Sequence, residues 1–145
     1  MAQARESLLK VIAKINRTTR KLFMETFTQI QTTFREFFKH IFGGGNADLV
    51  LVDQQDILET GIEIMARPPG KKIQAISLLS GGERSMTAIA LLFSILKVKP
   101  SPFCVLDEMD AALDEANVDR FSRVLTDFVK TSQFIIITHN KKTIG

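Results

Sequence analysis

Apolar residues recur at alternating steps of four and three through much of the first 42 positions. Phe23, Phe27, Ile30, Phe34, Phe37 and Ile41 form a heptad seam, which predicts one long helix over residues 4–42. Leu8, Ile12 and Ile15 carry the rhythm further back, but Thr19 is polar and the register slips by one residue at Phe23. The earlier stretch is charged and thin in apolar groups, like a coiled-coil strand without its partner. The later stretch is rich in phenylalanine, like a helix docked on a domain. A GGG run at 43–45 ends the helix, with Gly43 at the C′ position. The period then drops to two. ADLVLVD, from Ala47, and GIEIMARPPG, from Gly61, read as strands, and Pro68, Pro69 and Gly70 make a turn. A helical pattern returns at Ser80, runs to about Lys97 and is broken by Pro100 and Pro102. FCVL (103–106) is a continuous apolar run, as in a buried parallel strand. Val118, Phe121, Val124, Leu125 and Phe128 share one helix face, and QFIIITHN (133–140) is a second buried strand running into polar residues. Helix, strand, helix, strand with right-handed crossovers predicts a layered α/β fold.

Composition narrows this picture in three ways. At 145 residues and 45% hydrophobic, the chain fits one domain with a real core. Its single cysteine, Cys104, excludes a disulfide framework and any multi-cysteine metal site, and sits in an apolar run as a packing residue. No apolar run approaches the ~20 residues needed to span a membrane, and the N-terminus lacks the apolar core of a signal peptide, so a cytoplasmic location is expected. The net charge of +3 is unevenly placed: residues 1–42 hold eight Lys/Arg against three Glu, a net of +5, and the remainder is −2. A basic helical arm is either a solvated face or a contact for a polyanion.

The candidate chemistry lies in three short stretches. In LSGGE (79–83), Ser80 and Glu83 fit a capping box. Gly81 and Gly82 are unexpected there, because glycine weakens a first helical turn. They suit a helix N-terminus whose bare amides must be reached by an anion, and on this stretch alone the two readings stand level. Asp107 and Glu108 follow the apolar run 103–106, and His139 follows the run 133–137. Ligands of open parallel sheets sit beyond the carboxyl ends of strands, so both sets are placed for chemistry. Taken singly, an acid pair is more simply a helix cap and a histidine a satisfied polar group. Their order and spacing change that balance.

The order LSGGE, apolar strand with Asp107-Glu108, Ala112-Leu113-Asp114, strand with His139 resembles the C-terminal half of an ABC-type ATPase. With the flanks INRTTRKLF, FREFFKHIFGGGNADLVL, PPGKK and FIIITHNKKT, the chain from about Ile15 onward resembles the structural maintenance of chromosomes (SMC) proteins, most like the prokaryotic ones. The resemblance implies half of an ABC-type head, a mostly parallel sheet with flanking helices (43–145), preceded by the end of a returning coiled coil and neck helix (1–42). It implies that Ser80, Gly81 and Gly82 meet the γ-phosphate of an ATP held by a second head, with Asp114 at the head–head interface. Asp107 would hold Mg²⁺ through water, Glu108 would be the general base and His139 would sense the γ-phosphate. No G-x-x-x-x-G-K-[ST] occurs in the chain, so the phosphate-cradling loop is expected in an N-terminal lobe elsewhere in the protein, and the chain alone is expected to be inactive. The stop at Gly145 is early for the family, which implies a truncated end and an exposed sheet edge. The implied partners are that N-terminal lobe, a second SMC head, a kleisin subunit docking between Ala47 and Arg67, and DNA, with a nucleoid location. Arg17, Arg20 and Lys21 are the first candidates for DNA contact, and Lys71 and Lys72 the second. Two other readings remain open: half of an ABC-type DNA-repair ATPase, and a partner-binding fragment without catalysis. FGGG and ALDEANV favour SMC over the first, and the paired acids argue against the second.

Overall fold

The computed structural model describes residues 2–144; Gly145, where the expected early stop falls, lies outside them. Helix α1 spans Ala2–Phe42 and ends in a Schellman turn, in which Gly43 takes φ 68° and Gly44 N–H donates to Lys39 O at 2.9 Å. Two residues on, Gly45 also has positive φ, and a Cβ there would lie 2.3 Å from Arg67 O, so only glycine fits this crossing.

Three antiparallel strands follow: β1 (Asn46–Leu51), β2 (Ile62–Arg67) and β3 (Gln74–Ala75), with Leu49 opposite Ile64 and Met65 opposite Ala75. A 3-10 turn, Ile76–Leu78, leads into α2 (Gly81–Val98). Strand β4 (Phe103–Asp107), α3 (Glu115–Phe128) and β5 (Gln133–Ile137) complete a parallel pair, and α4 (Lys141–Ile144) is one short turn. The expectation of a mostly parallel sheet is therefore corrected. Among the described residues, five strands form two separate sheets, and only β4 and β5 are parallel. The antiparallel part was hidden because β3 is two residues long and carries no period.

The core lies where α1 crosses α2 and β1. Phe34, Phe38 and Ile41 of α1 meet Met86, Ile89, Ala90 and Phe93 of α2, with Ala47 and Leu49 of β1 beneath. Phe38 is fully buried although it lies off the predicted seam. Phe37, on the seam, is half-buried against Phe128. The buried stripe is thus wider than a heptad seam, as a helix seated on a domain requires. Phe93 ties this core to the next layer, its ring packing against Phe121, Phe128 and Phe134.

Strands β4 and β5 also differ from expectation. Both were predicted to be buried on two faces. Leu106 is buried and Phe134 and Ile136 pack on the core, but Phe103, Val105, Ile135 and Ile137 are each half exposed or more on the opposite face. Cys104 is half-buried on the packed face. A continuous apolar run therefore does not by itself show that both faces of a strand are covered within the chain.

Candidate functional site

Strands β4 and β5 pair Asp107 with Ile137, so both run out at the same edge. The residues after them converge there. Glu108 N–H donates to Ile137 O at 2.8 Å, and Glu108 takes φ 48°, which turns the chain sharply out of the strand. His139 Nε2 lies 3.3 Å from Glu108 Oε1. Glu108, Asp110, Ala111, Leu113, Thr138, His139 and Asn140 line a cavity of about 310 Å³. The structure thus joins two of the expected catalytic residues, Glu108 and His139, from segments 31 positions apart in sequence. Asp107 stands exposed at the strand end beside them.

No group of three or more His, Cys, Asp or Glu among the described residues is placed to hold a metal ion. A lone exposed carboxylate nevertheless suits Mg²⁺, which keeps several waters and takes one or two carboxylates plus substrate phosphates. Asp107 fits that requirement.

Sequence reading missed Asp110. It is buried, and it accepts hydrogen bonds from Thr138 Oγ1 at 2.8 and 2.7 Å and from Thr143 Oγ1. Burial pushes its carboxyl pKa up, but the hydroxyls of Thr143 and Thr138 and its own backbone outweigh this and hold it below the usual range. An apolar-to-polar transition after each strand was the available signal; which polar residue turns inward was not encoded in it.

The second candidate group lies at the start of α2. Ser80 is extended (φ −62°, ψ 161°) and closes a complete capping box. Glu83 N–H donates to Ser80 Oγ at 3.4 Å, and Ser80 N–H donates to Glu83 Oε2 at 3.2 Å. Lys71 Nζ reaches both carboxylate oxygens of Glu83, at 2.8 and 2.9 Å. That lysine hydrogen bond, and then those of Ser80, lower the Glu83 pKa against the effect of burial. Capping is therefore realised. It does not explain the glycines: a Cβ at Gly81 would meet nothing within 4 Å, and one at Gly82 would make only an ordinary 3.5 Å contact with Ala112 O. Among the described residues, no contact requires their bareness.

The Gly82–Ala112 approach also sets this turn against the loop preceding α3. Asp114 in that loop is the N-cap of α3, accepting from Asn117 N–H at 2.8 Å. None of Ser80, Gly81, Gly82 and Asp114 lines the Glu108–His139 cavity. Of the DNA candidates, Arg20 donates to Gln55 O and lies 3.5 Å from Asp56, and Lys21 lies 3.9 Å from Glu25. Lys71 is engaged by Glu83, while Arg17 and Lys72 stand exposed.

Residues 8–145 match the family described as RecF/RecN/SMC N terminal domain. The chain belongs to this family. Chromosome partition protein Smc of Bacillus subtilis (strain 168) is 54% identical to it over 144 residues, 99% of this chain and 12% of that protein. The SMC chain therefore spans about an eighth of the length of the curated relatives it matches. Its fold is similar to the Smc head domain with an extended coiled coil bound to the C-terminal domain of ScpA, from Pyrococcus furiosus. The TM-score is 0.85 at 41% identity, over 96% of this chain and 35% of that one. It is also similar to a structure described as concerning ATP-driven dimerization and DNA-stimulated activation of SMC ATPases. There the TM-score is 0.78 at 41% identity, over 86% of this chain and 76% of that one. This SMC chain is a homologue of the head domain, and no described helix in it is long and apolar enough to cross a membrane.

Proposed function

We propose that the chain is the half of an SMC ATPase head that supplies the signature motif (LSGGE, 79–83), the Walker B acids (Asp107 and Glu108), the D-loop (Ala112-Leu113-Asp114) and the switch histidine (His139). The observation that carries this reading is the meeting of Glu108 and His139 at the carboxyl ends of two parallel strands. The assignment to the C-terminal lobe rests on this set of motifs and on the absent phosphate-cradling loop, not on the wording of the family description. The 54% identity to a chromosome partition protein favours SMC over a DNA-repair relative.

Glu108 is the group that accepts the proton of an attacking water, a role worth about 10²–10⁴-fold in rate. His139 donates from the facing turn toward the developing charge on the γ-phosphate. Asp107 would hold Mg²⁺, which when bound would supply neutralisation of phosphate charge. The free amides of Gly81 and Gly82 and the α2 dipole offer an anion site to the nucleotide of a facing head. The separation of the two groups within one chain suits such an arrangement, in which each head donates its signature to the other's ATP. The basic arm, Arg17, Arg20 and Lys21 first and Lys71 and Lys72 second, is proposed to touch DNA phosphates in a salt-sensitive way. A kleisin subunit is proposed on the segment between Ala47 and Arg67, where Val50 of β1, Ile62 of β2 and Val52 just after β1 are exposed. The cellular role proposed is ATP-dependent chromosome partition.

The test is hydrolysis by parts. The chain alone should bind ATP very weakly and turn over none, because nothing in it cradles the β- and γ-phosphates. Adding the N-terminal lobe should restore turnover through a head dimer. Glu108→Gln should then keep ATP binding, lower turnover at least about 10²-fold and accumulate the closed dimer, whereas Ser80→Arg should prevent closure. Robust turnover by the chain alone that survives Glu108→Gln would overturn the reading.

A further inference from the structure

Asp110 is the one buried charged residue among the described residues, at 3% exposure. A buried carboxylate is tolerated when several donors hold its charge, and here the donors come from across the site. Thr138 Oγ1 reaches both of its oxygens, and Thr143 Oγ1 reaches one. The same Thr138 hydroxyl oxygen accepts from Asn140 N–H at 2.9 Å. The turn 138–140, with His139 at its centre, is therefore folded around one hydroxyl whose orientation Asp110 sets. On the other strand, Asp110 lies two residues after Glu108 and closes its own turn, its carbonyl accepting from Leu113 N–H at 3.0 Å while Glu108 O accepts from Ala111 N–H at 3.1 Å. The side chains of His139 and Glu108 are themselves 94% and 54% exposed, so little packing fixes them. Their relative position must come from the backbone turns that carry them.

We propose that Asp110 is a positioning residue: through Thr138 it locks the His139 turn against the Glu108 turn and so sets the distance between the two groups. This rests on the reading of Glu108 and His139 given above. The carboxylate touches no substrate; it acts only through the geometry of the pair.

The experiment uses the full-length protein with both head lobes, and measures kcat and KM for ATP together with the yield of closed head dimer. Asp110→Asn keeps the shape but removes the charge and replaces one of the two acceptor oxygens by an NH₂ donor, so Thr138 can no longer reach two acceptors. It should lower kcat roughly 10–100-fold, as a small misplacement of reacting groups does, with KM within about twofold. In the Glu108→Gln background, Asp110→Asn should leave closed-dimer yield unchanged, since the fold and nucleotide binding persist; a purely structural role would reduce it. Should Asp110→Asn fail to fold, Thr138 decides: Thr138→Val should reproduce the kcat loss and Thr138→Ser should restore it. A folded Asp110→Asn with kcat within twofold of the parent, a raised KM at unchanged kcat, or Thr138→Ser as impaired as Thr138→Val would each overturn the proposal. Loss of turnover in Glu108→Gln with none in Asp110→Asn would remove only the positioning role. Parental turnover in Glu108→Gln would remove the site reading and this inference with it.

Discussion

The two ends of α1 carry similar four-three hydrophobic spacings, offset by one residue at Phe23, and meet opposite fates. From Phe27 to Ile41 its apolar residues are built into the core, Phe34 and Phe38 completely so. From Leu8 to Leu22 they face water, with Leu8, Leu9, Val11, Ile12, Ile15 and Leu22 all exposed. The later half is further fixed by polar ties to β1: Gln31 Nε2 donates to Leu49 O at 2.7 Å, and the Arg35 guanidinium grips both oxygens of Asp48. The earlier half has local i,i+4 pairs such as Glu6–Lys10, worth a few tenths of a kcal/mol each, and only exposed long-range ties near its end, from Arg20 to Gln55 O and Asp56. A repeat alone therefore does not decide burial; composition and cross-ties determine which part of the stripe this chain covers.

Three measurements press on that contrast. Phe38→Ala should be the most damaging, destabilising the chain by about 3–5 kcal/mol through lost burial and a cavity. In thermal unfolding this should appear as a Tm drop of roughly 4 °C per kcal/mol for a chain of this size, and a drop under about 4 °C would mean the helix is not seated as described. Arg35→Ala comes next. Its side chain is 43% exposed, so solvent screening holds the loss to about 1 kcal/mol or less, measurable by urea denaturation. Ile12→Ala should be the mildest, within about 0.5 kcal/mol in the isolated chain. A larger loss would show that the early half is already covered, by self-association, and sedimentation of the parent would reveal it.

The same contrast explains what could be read from the sequence. Local chemistry was legible: Gly43 as the helix stop, the Ser80–Glu83 capping box and Asp107–Glu108 at a strand end all depend on residues close in the chain. So was the parallel pairing of β4 with β5, because an intervening helix leaves few alternatives. The placement of Phe38 over Phe37 was not, since adjacent phenylalanines satisfy one stripe equally until a second helix fixes the rotation. Asp110 escaped because its partners, Thr138 and Thr143, lie about thirty residues away. Lys71 was weighed as a DNA contact, yet its nearest anion, Glu83, is brought to it only by the turn after β2. The exposed faces of β4 and β5 depend on what lies against them, which no periodicity within the chain describes.

The left-handed backbone of Glu108 has a consequence for how this position tolerates change. A side chain at φ 48° carries strain on the order of 1–2 kcal/mol. Glutamine bears the same strain as glutamate, so Glu108→Gln isolates the chemistry of the carboxylate from the mechanics of the turn. Asparagine relaxes the turn, being at ease in this region, and a β-branched residue such as valine aggravates it. On the proposed reading of Glu108 as the general base, stability and activity pull in opposite directions at a single residue. Under that reading, a lineage freed from the need for the base would drift at position 108 toward asparagine or glycine, and gain fold stability as it did so.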